Sequence, residues 1–140
     1  MRKKKLVLGD IYEIPLPNGL NAYGRLYREY TLAIYKKRCK SVLQLPPENE
    51  YEFFVGVYED LLHDGEWKLV ESRPFATEEE TWAPPLYVRD MLNGKISLYI
   101  KGKMIPSTEE ECKGLEAAAA WDRHHVVDRL MGETKWNDIL

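Results

Sequence analysis

A chain of 140 residues has the length of one ordinary domain and at that size buries roughly two-thirds of its unfolded surface, enough for a core without staples. Its 44% hydrophobic and 31% charged residues exclude a disordered chain, and its net charge of −3 speaks against a general nucleic-acid binder, which carries a basic surplus. Cys39 and Cys112 form no CxxC pair and no disulfide framework, so reduced thiols in a cytoplasmic protein are expected.

The start, MRKKKLVLGD, sets only Leu6-Val7-Leu8 between its charges and Asp10, far short of the about seven to fifteen apolar residues of a signal-peptide core. No stretch approaches the roughly 18 apolar residues of a membrane helix, so no membrane association is expected. In DIYEIPLP, Ile11 and Glu13 share one face of a strand while Tyr12 and Ile14 share the other. Asn18-Gly19 then predicts a two-residue hairpin turn, with NAYGRLYRE as the returning strand. TLAIYKK follows as a third strand, rich in β-branched and aromatic residues. Asp64-Gly65 predicts a wider connection between YEFFVGVYE and EWKLVES, and Asn93-Gly94 a hairpin between LYVRDML and KISLYI. Six or seven short strands joined by such turns imply antiparallel pairing.

From Pro106 the pattern changes. In PSTEEECKG, Ser107 or Thr108 stands three residues before Glu110 or Glu111, the spacing of a capping box, and Gly114 offers a stop. LEAAAAW has high helix propensity, although its alanine run fits a tight strand equally well. Asp122 is placed to cap a final helix with Val126, Val127, Leu130 and Met131 on one side and Gly132 at its end. The expected architecture is therefore mainly β (α+β). It is a strongly bent antiparallel sheet in the form of an SH3-like barrel, which removes exposed edges, with a helical C-terminal segment packed on it. One domain over residues 1–140 is expected, strand-rich over 6–105 and helical over 106–132.

The chemical signals are sparse. His124 and His125 are adjacent, so on a helix their side chains diverge by about 100°, and with Asp122, Cys112 and the remote His63 they are expected to hold no metal. A thiolate at Cys112 is opposed by Glu109, Glu110 and Glu111, so a buried, inert thiol is expected there. No glycine-rich phosphate cradle occurs, and neither catalytic residues nor a cofactor are predicted. The basic runs RKKK and KKRCK fit a chain terminus and a lysine-protected strand edge.

The acidic runs PPENEYE, EDLLHDGEW and TEEETW place carboxylates beside aromatic residues. Such runs ordinarily form solvated faces. The alternative is a docking surface for a basic protein, made of Tyr51, Asp60, Asp64, Glu66, Trp67, Glu78, Glu79, Glu80 and Trp82, with aromatic anchors and charge that steers encounter.

Four blocks together resemble the bacterial toxin-immunity proteins of immunity protein family 26. They are GDIYEIPLPNG with AYGRL, FFVGVYEDLLHDGEWKLV, PPLYVRD with NGKISLYI, and STEEECKGLEAAAAWDRHHVVDRL. They follow the family's order over nearly the whole chain, and the C-terminal EECKGLE…AW…HVVDRL is the most specific of them. Ala120 and Arg123 stand where the family usually has Val and Pro. The resemblance implies a role and not a reaction: binding a secreted polymorphic toxin's toxic domain, with no catalytic residues and no transferable contact positions.

The expected function is a non-enzymatic, cytoplasmic immunity protein whose partner is a cognate protein toxin, a basic nuclease being one class. The competing function is a small-barrel RNA-cleaving toxin or RNA-binding protein, with Arg25, Arg28 and Lys36 as its candidate residues. Oligomeric state and strand order are left open.

Overall fold

The computed structural model describes residues 5–132. The chain begins with three consecutive antiparallel strands, β1 (Asp10–Pro15), β2 (Asn21–Tyr27) and β3 (Thr31–Tyr35), followed by β4 (Tyr51–Val57) and β5 (Lys68–Ser72). Next come β6 (Leu86–Arg89), β7 (Ile96–Ile100), β8 (Lys103–Pro106), and two short strands, β9 (Glu116–Ala117) and β10 (Ala120–Trp121). A single α-helix, α1 (Arg123–Leu130), closes the described chain. The strands form a six-stranded sheet in the order β10-β4-β3-β2-β1-β5 and a four-stranded sheet in the order β8-β7-β6-β9. The protein is thus mainly β, with two mixed sheets and a C-terminal helix. No described helix is long and apolar enough to cross a membrane.

The six-stranded sheet is covered on both faces, which explains the mixed alternation of β1. Tyr12, Ile14, Ala22, Leu26, Leu32, Ile34, Val55 and Val57 pack on one side with Leu61, Leu62, Trp67, Trp121 and Val126. Ile11, Tyr23, Tyr35, Cys39 and Leu45 form a second cluster. Period-2 alternation assigns β2 cleanly: Ala22, Gly24 and Leu26 to the first face, Tyr23, Arg25 and Tyr27 to the other.

The first hairpin forms where expected but with a longer loop. Leu16 donates to Leu20 at 2.9 Å and Gly19 to Leu16 at 3.2 Å, leaving Pro17-Asn18-Gly19 as a three-residue turn with Gly19 at φ +85°. The Asn93-Gly94 hairpin also forms, pairing β6 with β7 and held by Asp90 Oδ1, which accepts from the backbone N–H groups of Leu92 and Asn93.

Four features extend or correct the expectations. First, Asp64-Gly65 lies in the connection from β4 to β5 as expected, and the strand order, open in the sequence, puts β5 against β1 at the far edge of the sheet, with Ile11 opposite Glu71. The intervening 3₁₀ turn Glu59–Leu62 buries Leu61 and Leu62, and Trp67 follows into the same core, so burial carries the chain across the sheet face. Second, the pairing is not wholly antiparallel: β10 runs parallel to β4 and β9 parallel to β6. Third, among the described residues no ladder joins β5 to β10, so the sheet stays open and no closed barrel forms. Its edges are blunted instead by the two-residue β10 and by a register shift at Ile11/Tyr12 beside β5.

Fourth, the helical segment is confined to Arg123–Leu130 and does not extend over 106–132. Thr108 does cap, its Oγ1 accepting from Glu111 N–H at 3.2 Å, and Cys112 N–H donates to the Thr108 carbonyl, but the segment forms only consecutive turns that end at Gly114, at φ +84°. The alanine run becomes β9 and β10 because sheet edges supply its backbone with partners: Ala118 N–H donates to the Tyr87 carbonyl at 2.8 Å. The small side chains allow a close approach, and a Cβ at Gly56 would stand 2.6 Å from the Ala119 carbonyl oxygen. In α1 itself the expected apolar side is present, with Val126 buried and Val127 and Leu130 packed on the core. Both cysteines are unpaired and buried.

Gly9 answers why the chain opens its first strand with Gly-Asp. It sits at φ +96°, donates to the Leu26 carbonyl at 2.8 Å and accepts from Arg73 N–H at 2.9 Å. A Cβ there would lie 2.6 Å from the Arg73 carbonyl oxygen. Gly9→Ala is therefore expected to destabilise the fold by about 2 kcal/mol or more, measured by urea unfolding. Gly65→Ala, also at positive φ (+81°) but with open space around it, should lose less.

Candidate functional site

The second face of the six-stranded sheet carries an aromatic groove of about 460 Å³. Its walls are Tyr27 from β2, Tyr51 and Phe54 from β4, Phe75 from the segment after β5, and Trp82. The rings meet edge to face: Tyr27 with Phe54 at 5.1 Å, Tyr27 with Phe75 at 4.8 Å and Tyr51 with Phe54 at 5.4 Å between centroids. Such contacts fix ring positions beyond what area burial alone achieves.

Arg25 sets the floor. It is 6% exposed, and its guanidinium lies 3.8 Å from the Phe75 centroid. Its Nε donates to the Arg73 carbonyl at 2.9 Å, Nη1 donates to Tyr51 Oη at 3.0 Å, and Nη2 donates to the carbonyls of Arg73 and Pro74. A buried guanidinium is tolerable because backbone oxygens satisfy its donors and a ring covers its face. Arg25 is thus a structural cation whose donors are committed, which removes it as the phosphate ligand of an RNA-cleaving site. Arg28 is engaged in part: its backbone N–H donates to the Thr81 carbonyl and its Nε to Thr81 Oγ1, and its guanidinium lies over Trp82.

Burial is the main reason that the phenols of Tyr27 and Tyr35 are pushed well above their usual range, and Tyr51 beside them adds to the effect. Tyr23 is raised the same way by burial and by its hydrogen bond to Glu13 at 2.9 Å. The neutral hydroxyl is the form these positions favour.

The structure divides the expected docking residues into two groups and a core residue. Tyr51, Glu80 and Trp82 come together on the groove, and Glu78 and Glu79 lie exposed beside it on the 3₁₀ turn Glu79–Thr81. Glu79 pairs with Lys101, and Glu80 accepts from Ala76 N–H at 3.1 Å. Asp64 and Glu66 lie elsewhere, both paired with Arg123 at the start of α1, and Asp60 is exposed on the turn Glu59–Leu62. Asp64 is held below the usual carboxylate range: burial opposes this, while the Glu66 N–H and Arg123 more than compensate. Trp67 is only 3% exposed and belongs to the core, so it offers no anchor to a partner.

Sequence reasoning missed Tyr27, Phe54 and Phe75 as groove walls. The available signal was Arg25 itself, a lone cation at an alternating position between Tyr23 and Tyr27 in a strand otherwise fit for burial. It also misjudged the histidines: the rings of His124 and His125 are 4.0 Å apart and do not diverge. The thiol of Cys112 lies 3.6 Å from Ser107 Oγ, and His63 bonds Glu59 at 3.0 Å.

A family model described as Immunity protein 26 matches residues 7–98. The chain belongs to the immunity protein 26 family. The match contains every residue that walls the groove, from Arg25 to Pro84, and ends in β7, so the C-terminal block that resembles the family most specifically lies outside it. No curated protein and no solved structure matches the chain.

Two outcomes follow from the immunity protein's groove. Arg25→Met leaves the Arg73 and Pro74 carbonyls without donors and should lower unfolding stability by about 2–4 kcal/mol, with Arg25→Lys failing to restore it because an ammonium lacks the fork. Tyrosines with raised folded values stabilise the protein below the ordinary phenol range, near pH 10, and that contribution is lost as pH rises further. Thermal denaturation should therefore show the melting temperature falling above about pH 10, with phenolate absorbance rising together with unfolding.

Proposed function

We propose that this immunity protein neutralises its cognate toxin domain by stoichiometric occlusion, docking through the mouth of the aromatic groove. The observation that carries this is the convergence of Tyr51, Trp82 and Glu80 with Phe75 on one preformed surface, flanked by Glu78 and Glu79. Rings already held by Arg25 and by each other lose little freedom on binding, which favours affinity for a given area. Amphipathic aromatics are the side chains that dominate interface energetics, and a carboxylate rim steers a basic partner. Asp60, Asp64 and Glu66 would lie outside this contact, since the latter two are held by Arg123.

A basic nuclease domain is the partner class that the acidic rim suits best, and the cytoplasm is where such a toxin would be met. All 140 residues act as one domain in this scheme, and the protein makes or breaks no covalent bond. An interface near the usual ~1,600 Å² would suffice if the groove supplies its centre.

Co-expression with the toxin encoded beside its gene should rescue growth and yield a one-to-one complex. The combined charge reversal of Glu78, Glu79 and Glu80 to Lys is expected to slow association about tenfold at low salt, with a smaller effect at high salt. Trp82→Ala should act mainly on dissociation. Failure to form a complex, or cleavage of cellular RNA by the purified chain, would overturn the proposal; an unchanged on-rate would clear the rim alone.

A further inference from the structure

We infer that Asp122, His124 and His125 form a binding site for a borderline divalent metal ion of the zinc class. One donor atom from each residue lies within 4.8 Å of the other two. Two imidazole nitrogens and a carboxylate oxygen are a donor set that zinc-class ions accept, with water completing the coordination, whereas magnesium and calcium prefer oxygen cages. Tetrahedral bonds of about 2.0–2.1 Å place donors roughly 3.3 Å apart, a spacing that rotation of the exposed Asp122 and His124 side chains toward half-buried His125 can reach from the observed one.

The fold holds this stretch in place. Trp121 is paired to Val57 and buried, and Val126 is fully buried, so the backbone between them is pinned at both ends. Asp122 is the N-cap of α1, yet its carboxylate makes no capping bond to the helix N–H groups. Arg123, the cation most able to oppose a metal here, is neutralised by both Asp64 and Glu66. Asp64 and Glu66 thus offset the Arg123 guanidinium, and the Asp122 carboxylate at the N-cap adds negative charge that opposes the positive end of the helix dipole. The tilted imidazole pair, at 4.0 Å and 56°, completes the cluster from two consecutive residues.

The test is titration of the metal-free full-length protein with Co(II) and Zn(II), followed by calorimetry and visible absorption. One equivalent should bind with micromolar affinity, Co(II) should show a nitrogen–oxygen ligand spectrum without thiolate charge transfer, and Zn(II) should displace it. Asp122→Asn and His124→Gln, both at exposed positions, should each weaken Zn(II) binding at least about tenfold, while His63→Gln should not. His125→Gln, at a half-buried position, should weaken it equally if the variant retains the parent circular dichroism. The inference is overturned by absence of saturable binding, by affinity unchanged in Asp122→Asn and His124→Gln, or by Ca(II) binding as well as Zn(II).

Discussion

The guanidinium of Arg25 is the constraint on which the groove face depends. It stands in the middle of a central strand, nearly sealed from water, and is tolerable there only because the carbonyls of Arg73 and Pro74 and the hydroxyl of Tyr51 receive its donors. That need ties three distant parts of the chain together. The segment after β5 must pass over β2, Phe75 must cover the cation, and Tyr51 must point inward from β4. Gly9 belongs to the same joint, since the Arg73 carbonyl passes too close to its Cα for any side chain. The opening strand of the chain is therefore fitted to the residues that roof the groove.

A second joint sets the position of the acidic turn. Arg28 holds Thr81 by backbone and side chain and covers Trp82, which brings the 3₁₀ turn bearing Glu79 and Glu80 against the β2–β3 connection. That connection is itself strained, with Glu29 and Tyr30 both at positive φ, and Glu29 is anchored from the four-stranded sheet by Tyr99 at 2.7 Å. A surface braced in this way has little conformational freedom left to lose on contact with a partner. Burial and hydrogen bonding, not mobility, determine where its aromatic edges lie.

Much of the strand structure was legible from local chemistry. Alternation in DIYEIP and NAYGRLY, β-branched density in TLAIY, and the Asn-Gly turns are decided by neighbours a few residues away, and they appear where the residues indicate. So does α1, whose apolar side repeats with helical period. The candidate site was legible only in part. Tyr51, Glu80 and Trp82 were visible as charge beside aromatics, but local composition could not distinguish Trp82 at a groove from Trp67 in the core. The histidines show the same limit in reverse: ideal helix geometry separates adjacent side chains, whereas side-chain torsions bring these two rings together.

By itself the sequence determined a mainly β chain with a late helix, because residue type and short-range periodicity suffice for that, while membership of an immunity family is carried by the match of extended sequence blocks along the chain. Tertiary structure alone decided the parallel pairing of β9 and β10, the crossing of β5 to the far edge of the sheet, and the meeting of Arg25 with Phe75 and Tyr51. Each of those rests on unsatisfied backbone groups, buried apolar area or a desolvated charge finding a partner far along the chain. No local propensity encodes such a partner.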